Sequence, residues 1–240
     1  MGRIELRGLT KRYGTLVAVH ELTMDVPPGR VTGFVGANGA GKSTTIRMLL
    51  GLTRPTAGTA TFDGRPYAQL SEPMRSVGAV VDPGVFHPAR SGRDSLRVLA
   101  RAAHIEQRRV DDVLELVGLA DSAGRRTKGY STGMRQRLAL AAALLGDPPT
   151  LVLDEPGNGL DPQGIHWLRE LLRGMAAEGR TVLVSSHQLA ELGQVADEVA
   201  VIDHGRLLAH QPIATMTAGG RRLEDAYLAL TQLPAPEELP

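Results

Sequence analysis

Two stretches of this sequence carry the residue types that hold phosphate. "GANGAGKST", Gly36 to Thr44, fits G-x-x-x-x-G-K-[ST] in full. In such a loop the backbone N–H groups cradle the phosphates, Lys42 reaches the outer ones, and the Ser43 hydroxyl is placed for Mg²⁺. "GYSTGMRQRLALAAALL", Gly129 to Leu145, is a small polar turn before an apolar helix, and Ser131 can cap the helix start. A helix start of that kind is also suited to an anion. A single chain thus offers two phosphate-grade helix starts, and its function must account for both.

"TLVLDEPGNGLDP", Thr150 to Pro162, sets Asp154 and Glu155 just past a buried strand. There Asp154 can hold a phosphate-bound Mg²⁺, and Glu155, one residue on, can polarise an attacking water. The plainer reading of the pair is a solvated strand end, and of Asp161-Pro162 a helix cap with proline at the first helical position. Asp161 can serve both purposes. His187 follows "TVLVSS" at another strand end, where a neutral imidazole can meet the terminal phosphate and the water. His20, His87, His104, His166, His204 and His210 show no metal-ligand spacing and read as structural or solvated.

The order "GANGAGKST", "YSTGM", "LVLDEP", "GLDP", "SSH" resembles the ATP-binding subunits of ABC transporters over essentially the whole chain. The resemblance implies that ATP and Mg²⁺ are the ligands, with Gly36, Asn38, Gly39, Ala40, Gly41, Lys42, Ser43 and Thr44 around the phosphates. It also implies that two ATP-binding subunits, identical or paralogous, pack head to tail. Ser131 and Gly133 of one then face the nucleotide on the P-loop of the other, with Asp161 between the two sites. That would explain the two helix starts. Tyr13, in "LTKRYG", falls where the family places an aromatic against adenine. Two positions depart from the pattern: Thr132 replaces a glycine of the signature, and Asp82 stands where the family's Q-loop has glutamine. A carboxylate at 82 can still offer Mg²⁺ an oxygen, although aspartate before proline is also a common turn starter.

The elements that must position these residues are those of an α/β fold: a P-loop NTPase core with an N-terminal antiparallel β portion and an inserted helical subdomain. Alternation in "RIELRGL" and "ELTMDV", a buried run in "VTGFVG" and "TATFDGR" make the first eighty residues β-rich. "KSTTIRMLLGL" reads as a helix closed by Gly51 and Pro55, which completes the strand, glycine loop and helix that the P-loop requires. Helices are expected in "GRDSLRVLARAAHI", "RRVDDVLELVGL" and the stretch after Ser131. Strands follow in "TLVLDEP" and "RTVLVSSH", with helices over 162–178 and in "LAELGQVA". "EVAVIDHGRLLAHQ" reads as a hairpin turning at His204-Gly205, and the tail "PAPEELP" as frayed. The expected division is 1–82 and 148–240 for the nucleotide-binding core and 83–147 for the helical subdomain.

Bulk properties narrow the function. At 240 residues the chain can bury roughly 70–75% of its unfolded surface. A formal net charge of +1 gives no sign of a nucleic-acid surface. Cysteine is absent, so disulfide and thiolate chemistry are excluded. "MGRIELRG" has no apolar signal region, and "LALAAALLG" falls short of the ~20 residues that span a bilayer. The expectation is a cytoplasmic Mg-ATP hydrolase, peripheral on the inner face of the membrane, that powers a separate membrane permease subunit. The "YSTGMRQR" variant and the "LEDAYLALT" tail look like bacterial drug- and antibiotic-export subunits. An importer ATPase and a soluble ABC-type ATPase are the alternatives. A P-loop GTPase lacks support because no N-K-x-D motif is present.

Overall fold

A computed structural model describes residues 2–83 and 86–232. The chain opens with β1 (Ile4–Tyr13) and β2 (Leu16–Val26), then runs through β3 (Val31–Val35) into α1 (Lys42–Leu49). β4 (Ala57–Phe62), α2 (Pro73–Ser76) and β5 (Val77–Val80) follow. Next come α3 (Gly92–Ala102), α4 (Arg108–Leu116) and α5 (Thr132–Leu144), consecutive in the chain between β5 and β6 (Thr150–Asp154). The rest is α6 (Pro162–Ala177), β7 (Thr181–Ser186), α7 (Leu189–Leu192), β8 (Glu198–Asp203), β9 (Arg206–Pro212), α8 (Ile213–Met216) and α9 (Leu223–Thr231).

Two sheets organise these elements. β2-β1-β4 is antiparallel, whereas β5-β6-β7-β3-β8 is parallel with β9 added antiparallel at its edge. β3 and β6 are buried at every position, as expected of parallel strands covered on both faces. Successive side chains go to opposite faces. Phe34, Val152, Leu183 and Ile202 pack with α1 and the antiparallel sheet, while Val35, Leu151, Leu153, Val182 and Val184 pack with the helices on the other side. The large sheet therefore separates two cores. α5 lies very close to β5: a Cβ on Gly78 would meet the Ala143 carbonyl oxygen at 2.2 Å, so only glycine permits this approach.

Most of the expected elements are present with shifted ends. α1 stops at Leu49, before Gly51. "LAELGQVA" departs furthest: only Leu189–Leu192 is helical, because Gly193 and the residues after it turn the chain back into β8. β5 and α8 carried too little periodic signal to be seen individually. The expected fraying of "PAPEELP" lies outside the described residues.

Candidate functional site

Three parallel strands, adjacent in the order β6-β7-β3, deliver the chemistry at their carboxyl ends. Their register sets the rows, with Asp154 paired to Ser185 and Val35 to Ser186. In parallel sheets ligands bind at this end of the strands.

After Val35 the chain turns through Gly36–Gly41 into α1. Gly41 is at φ 108°, and a Cβ there would lie 2.6 Å from the Ala18 carbonyl oxygen, so the turn demands glycine. Thr45 is the first residue of α1 to return its N–H, to the Gly41 carbonyl at 2.9 Å. The N–H groups of Lys42, Ser43 and Thr44 precede it without intrahelical acceptors, the arrangement that attracts phosphate oxygens. Ala37, Asn38, Gly39 and Ser43 are exposed, whereas Gly36 and Ala40 are buried. The loop thus has an anchored base and an open rim.

Lys42 is 6% exposed and its Nζ donates to the carbonyls of Gly36 (2.6 Å) and Ala37 (3.2 Å). Its Nζ also lies 3.7 Å from Oε1 of Glu155. The other Glu155 oxygen, Oε2, pairs with Nδ1 of His187 at 2.8 Å. Sequence reasoning put Lys42 and His187 at the outer phosphate and Glu155 at the attacking water; in the structure the three side chains meet at the Glu155 carboxylate. Its backbone is unusual: Glu155 sits at φ 50°, which costs a non-glycine residue roughly 1–2 kcal/mol.

Asp154 is buried beside it, with Oδ1 accepting from the Ser185 hydroxyl at 2.5 Å. Among the described residues Oδ2 has no hydrogen-bond partner. A hydroxyl at Ser43 and a carboxylate oxygen at Asp154 are hard donors of the kind Mg²⁺ takes, so the residues present fit that ion. Asp82 is exposed, two residues past the end of β5, at the same carboxyl edge as Asp154. It lines a groove with Arg47, Leu52, Phe86, Leu99 and Ala139.

Ser131 and Asp161 cap α5 and α6. The Ser131 hydroxyl accepts from the Met134 N–H at 3.2 Å, and Asp161 Oδ1 from the Gly164 N–H at 2.7 Å. Ser131, Gly133 and Asp161 line one concavity with Arg137 and Gly159, and no P-loop residue shares it. Tyr13 is half exposed, and Lys11 Nζ stands 4.8 Å above its ring. Sequence reasoning missed three contributors. Lys11 lies two residues from Tyr13 and hence on the same strand face; Arg137 stacks on Trp167 at 4.9 Å and donates to the Val117 carbonyl. The third is Ser185, a hydroxyl that follows the apolar run Val182–Val184 and is itself fully buried.

Among the described residues no group of three or more His, Asp or Glu side chains forms a protein-only metal cluster, and no helix is long and apolar enough to cross a membrane. The sequence profile of the ABC transporter family matches residues 19–158. The chain is 40% identical over 229 residues to the bacitracin transport ATP-binding protein of Bacillus licheniformis, covering 94% of this chain and 75% of that protein. It is 35% identical over 224 residues to a lantibiotic transport ATP-binding protein of Streptococcus pyogenes, covering 93% and 95%. A solved ATP-binding subunit of an ABC transporter superposes with a TM-score of 0.86 at 29% identity, over 95% of this chain and 99% of the other. Sequence order, strand-end geometry and these likenesses agree: the chain belongs to the ABC transporter family, as an ATP-binding ATPase.

Proposed function

We propose that this ATPase works as a head-to-tail pair of ATP-binding subunits bound to a membrane permease at the inner face of the membrane, and that it drives export of an antibiotic or similar small molecule. The observation that carries the paired arrangement is the separation within one chain: Lys42, Glu155 and His187 converge at the P-loop, while Ser131, Gly133 and Asp161 line a different surface. Each cluster is half of a site. Export is supported by the relatives named for bacitracin and lantibiotic transport.

In this reading the N–H groups of the P-loop and Lys42 bind the phosphates, and Lys42 leaves its Glu155 contact to do so. Ser43 and Asp154 hold Mg²⁺, with Asp82 as a further oxygen donor; when bound, the ion neutralises charge developing on the phosphates. Glu155 then orients and polarises the attacking water, and His187 fixes the Glu155 carboxylate through Nδ1 while Nε2 is available to the water or phosphate. Tyr13, backed by Lys11, offers the adenine a flat face. Gly36, Asn38, Gly39, Ala40, Gly41 and Thr44 shape the loop. Ser131 and Gly133 close on the partner's nucleotide. The groove beside Asp82 is the surface offered to the permease, and the helices of 83–147 form the subdomain around it.

Complementation by mixing tests the arrangement. Ser131→Arg should bind nucleotide but not turn it over, and Lys42→Ala should lose affinity by about tenfold or more, the worth of a charged hydrogen bond. Mixed, they should recover activity through one intact composite site. No recovery from a mixture shown to dimerise would overturn the shared-site reading.

A further inference from the structure

Ser185 is absent from the chemistry above, yet it touches both carboxylates of the site. It is fully buried, at 0% exposure, on the strand between β6 and β3. Its hydroxyl donates its one proton to Oδ1 of Asp154 and accepts the N–H of Glu155 at 3.0 Å. Its carbonyl oxygen accepts the same N–H at 3.2 Å. The register makes this possible, since Asp154 and Ser185 are direct neighbours across β6 and β7.

A hydroxyl has one proton to give, and here it goes to a carboxylate, so the accepting side is committed to Glu155. Two consequences follow. Asp154 is held with Oδ1 satisfied and Oδ2 as the oxygen available to a cation. The Glu155 peptide, strained at φ 50°, is held by a bond from the neighbouring strand rather than by its own. Without the hydroxyl the N–H is held by the 185 carbonyl alone, so the strained peptide is freer to shift and to carry the carboxylate away from His187 and Lys42. A valine at 185 would fill the strand and keep the carbonyl bond to the Glu155 N–H, but it would release Oδ1 of Asp154 and remove the hydroxyl's share of that N–H.

We infer that Ser185 is a positioning residue that locks the metal-binding aspartate and the water-polarising glutamate into one geometry through a single hydroxyl. The inference rests on the ATPase reading of Asp154 and Glu155, and its test separates the two. Outer-shell partners of this kind typically alter affinity or rate by about 10–100-fold. Ser185→Ala should lower kcat by that order and raise the Mg²⁺ concentration for half-saturation by about tenfold, while metal-free nucleotide binding stays unchanged. Ser185→Thr, which keeps the hydroxyl, should restore both. In the metal-free, nucleotide-free protein, hydrogen exchange at the Glu155 amide should be slow in the wild type and severalfold faster in Ser185→Ala.

If Ser185→Ala does not fold, Ser185→Cys, which fills the site but donates weakly, takes its place with the same expectations. A folded variant with kcat and Mg²⁺ half-saturation within about twofold of wild type overturns the proposal, even if its melting temperature has dropped, and so does a Glu155 amide that exchanges no faster. Asp154→Asn serves as the control. If it leaves Mg²⁺ dependence unaltered, the assignment of Asp154 falls, and the exchange experiment, made without metal, still decides Ser185.

Discussion

Glu155 is the busiest residue of the site, and the contacts of its carboxylate make its substitution informative. The carboxylate lies between Lys42 Nζ at 3.7 Å and His187 Nδ1 at 2.8 Å, on a backbone that few side chains adopt. Glu155→Gln keeps the shape and removes the charge. It is expected to bind ATP normally and to lower kcat by about 10²–10⁴-fold, the usual worth of a general base, in a steady-state phosphate-release assay. Glu198 shows the opposite use of a buried carboxylate. Burial opposes its charge, but hydrogen bonds from His210 and Thr32, together with the Arg30 guanidinium, outweigh this and hold its pKa below the ordinary carboxylate value. A depressed folded-state pKa contributes stability above the unfolded value of about 4.3, and that stability is lost as pH falls through the folded value. The gap in unfolding free energy between wild type and Glu198→Gln, measured in urea, should therefore be level above about pH 5 and shrink as pH falls from there.

Each functional side chain enters at the end of an element, so the ends carry the predictions. Asp161 caps α6 through the Gly164 N–H, and Pro162 follows at the first helical position. Asp161→Ala should cost about 1 kcal/mol in thermal or chemical melts, and Asp161→Asn should recover most of it because asparagine caps comparably. If Asp161→Asn is as stable as wild type but slower in turnover, the carboxylate has a second role beyond the cap. This double duty was legible in the sequence, because Asp-Pro before a periodic run is a helix start wherever it occurs. β3, β6 and β7 were legible for a related reason, being short apolar runs ending at glycine, acid or histidine. The extent of α7 was not: apolar spacing continues the helical pattern through "LAELGQVA", but only Leu189–Leu192 is helical because the chain must reverse within a few residues to form β8. Nor could spacing reveal that Ser185 faces Asp154. Side-by-side pairing of parallel strands far apart in sequence is a property of the sheet, invisible along one strand.

At the scale of the whole molecule, the large sheet with a core on each face holds the P-loop between two packed layers. Gly41 shows this directly, since it abuts the Ala18 carbonyl of the antiparallel sheet. The nucleotide cluster and the concavity around Ser131 each present one face outward, and neither is complete in a single chain by the reading proposed here. Glu155→Gln, which should stall after binding, is expected to run as a dimer in size-exclusion chromatography with Mg-ATP and as a monomer with ADP. A monomer in both, with no second subunit present, would leave the pairing to a different chain.

The close seat of α5 on β5 has a mechanical consequence. α5 spans 13 residues, so it is a rod of about 20 Å. Its far end bears Ser131, while near its base the Ala143 carbonyl rests against Gly78 with no side chain between. A rod seated backbone to backbone has little slack, and a tilt of about 10° at the seat would carry its tip through about 3 Å. The strand under that seat runs on within a few residues to Asp82, at the rim of the groove. In such a lever a small displacement at the seat becomes a larger swing at Ser131. A methyl group inserted at the pivot, as in Gly78→Ala, is expected to shift the rod and cost stability, read as a lower melting temperature, while leaving the P-loop residues in place.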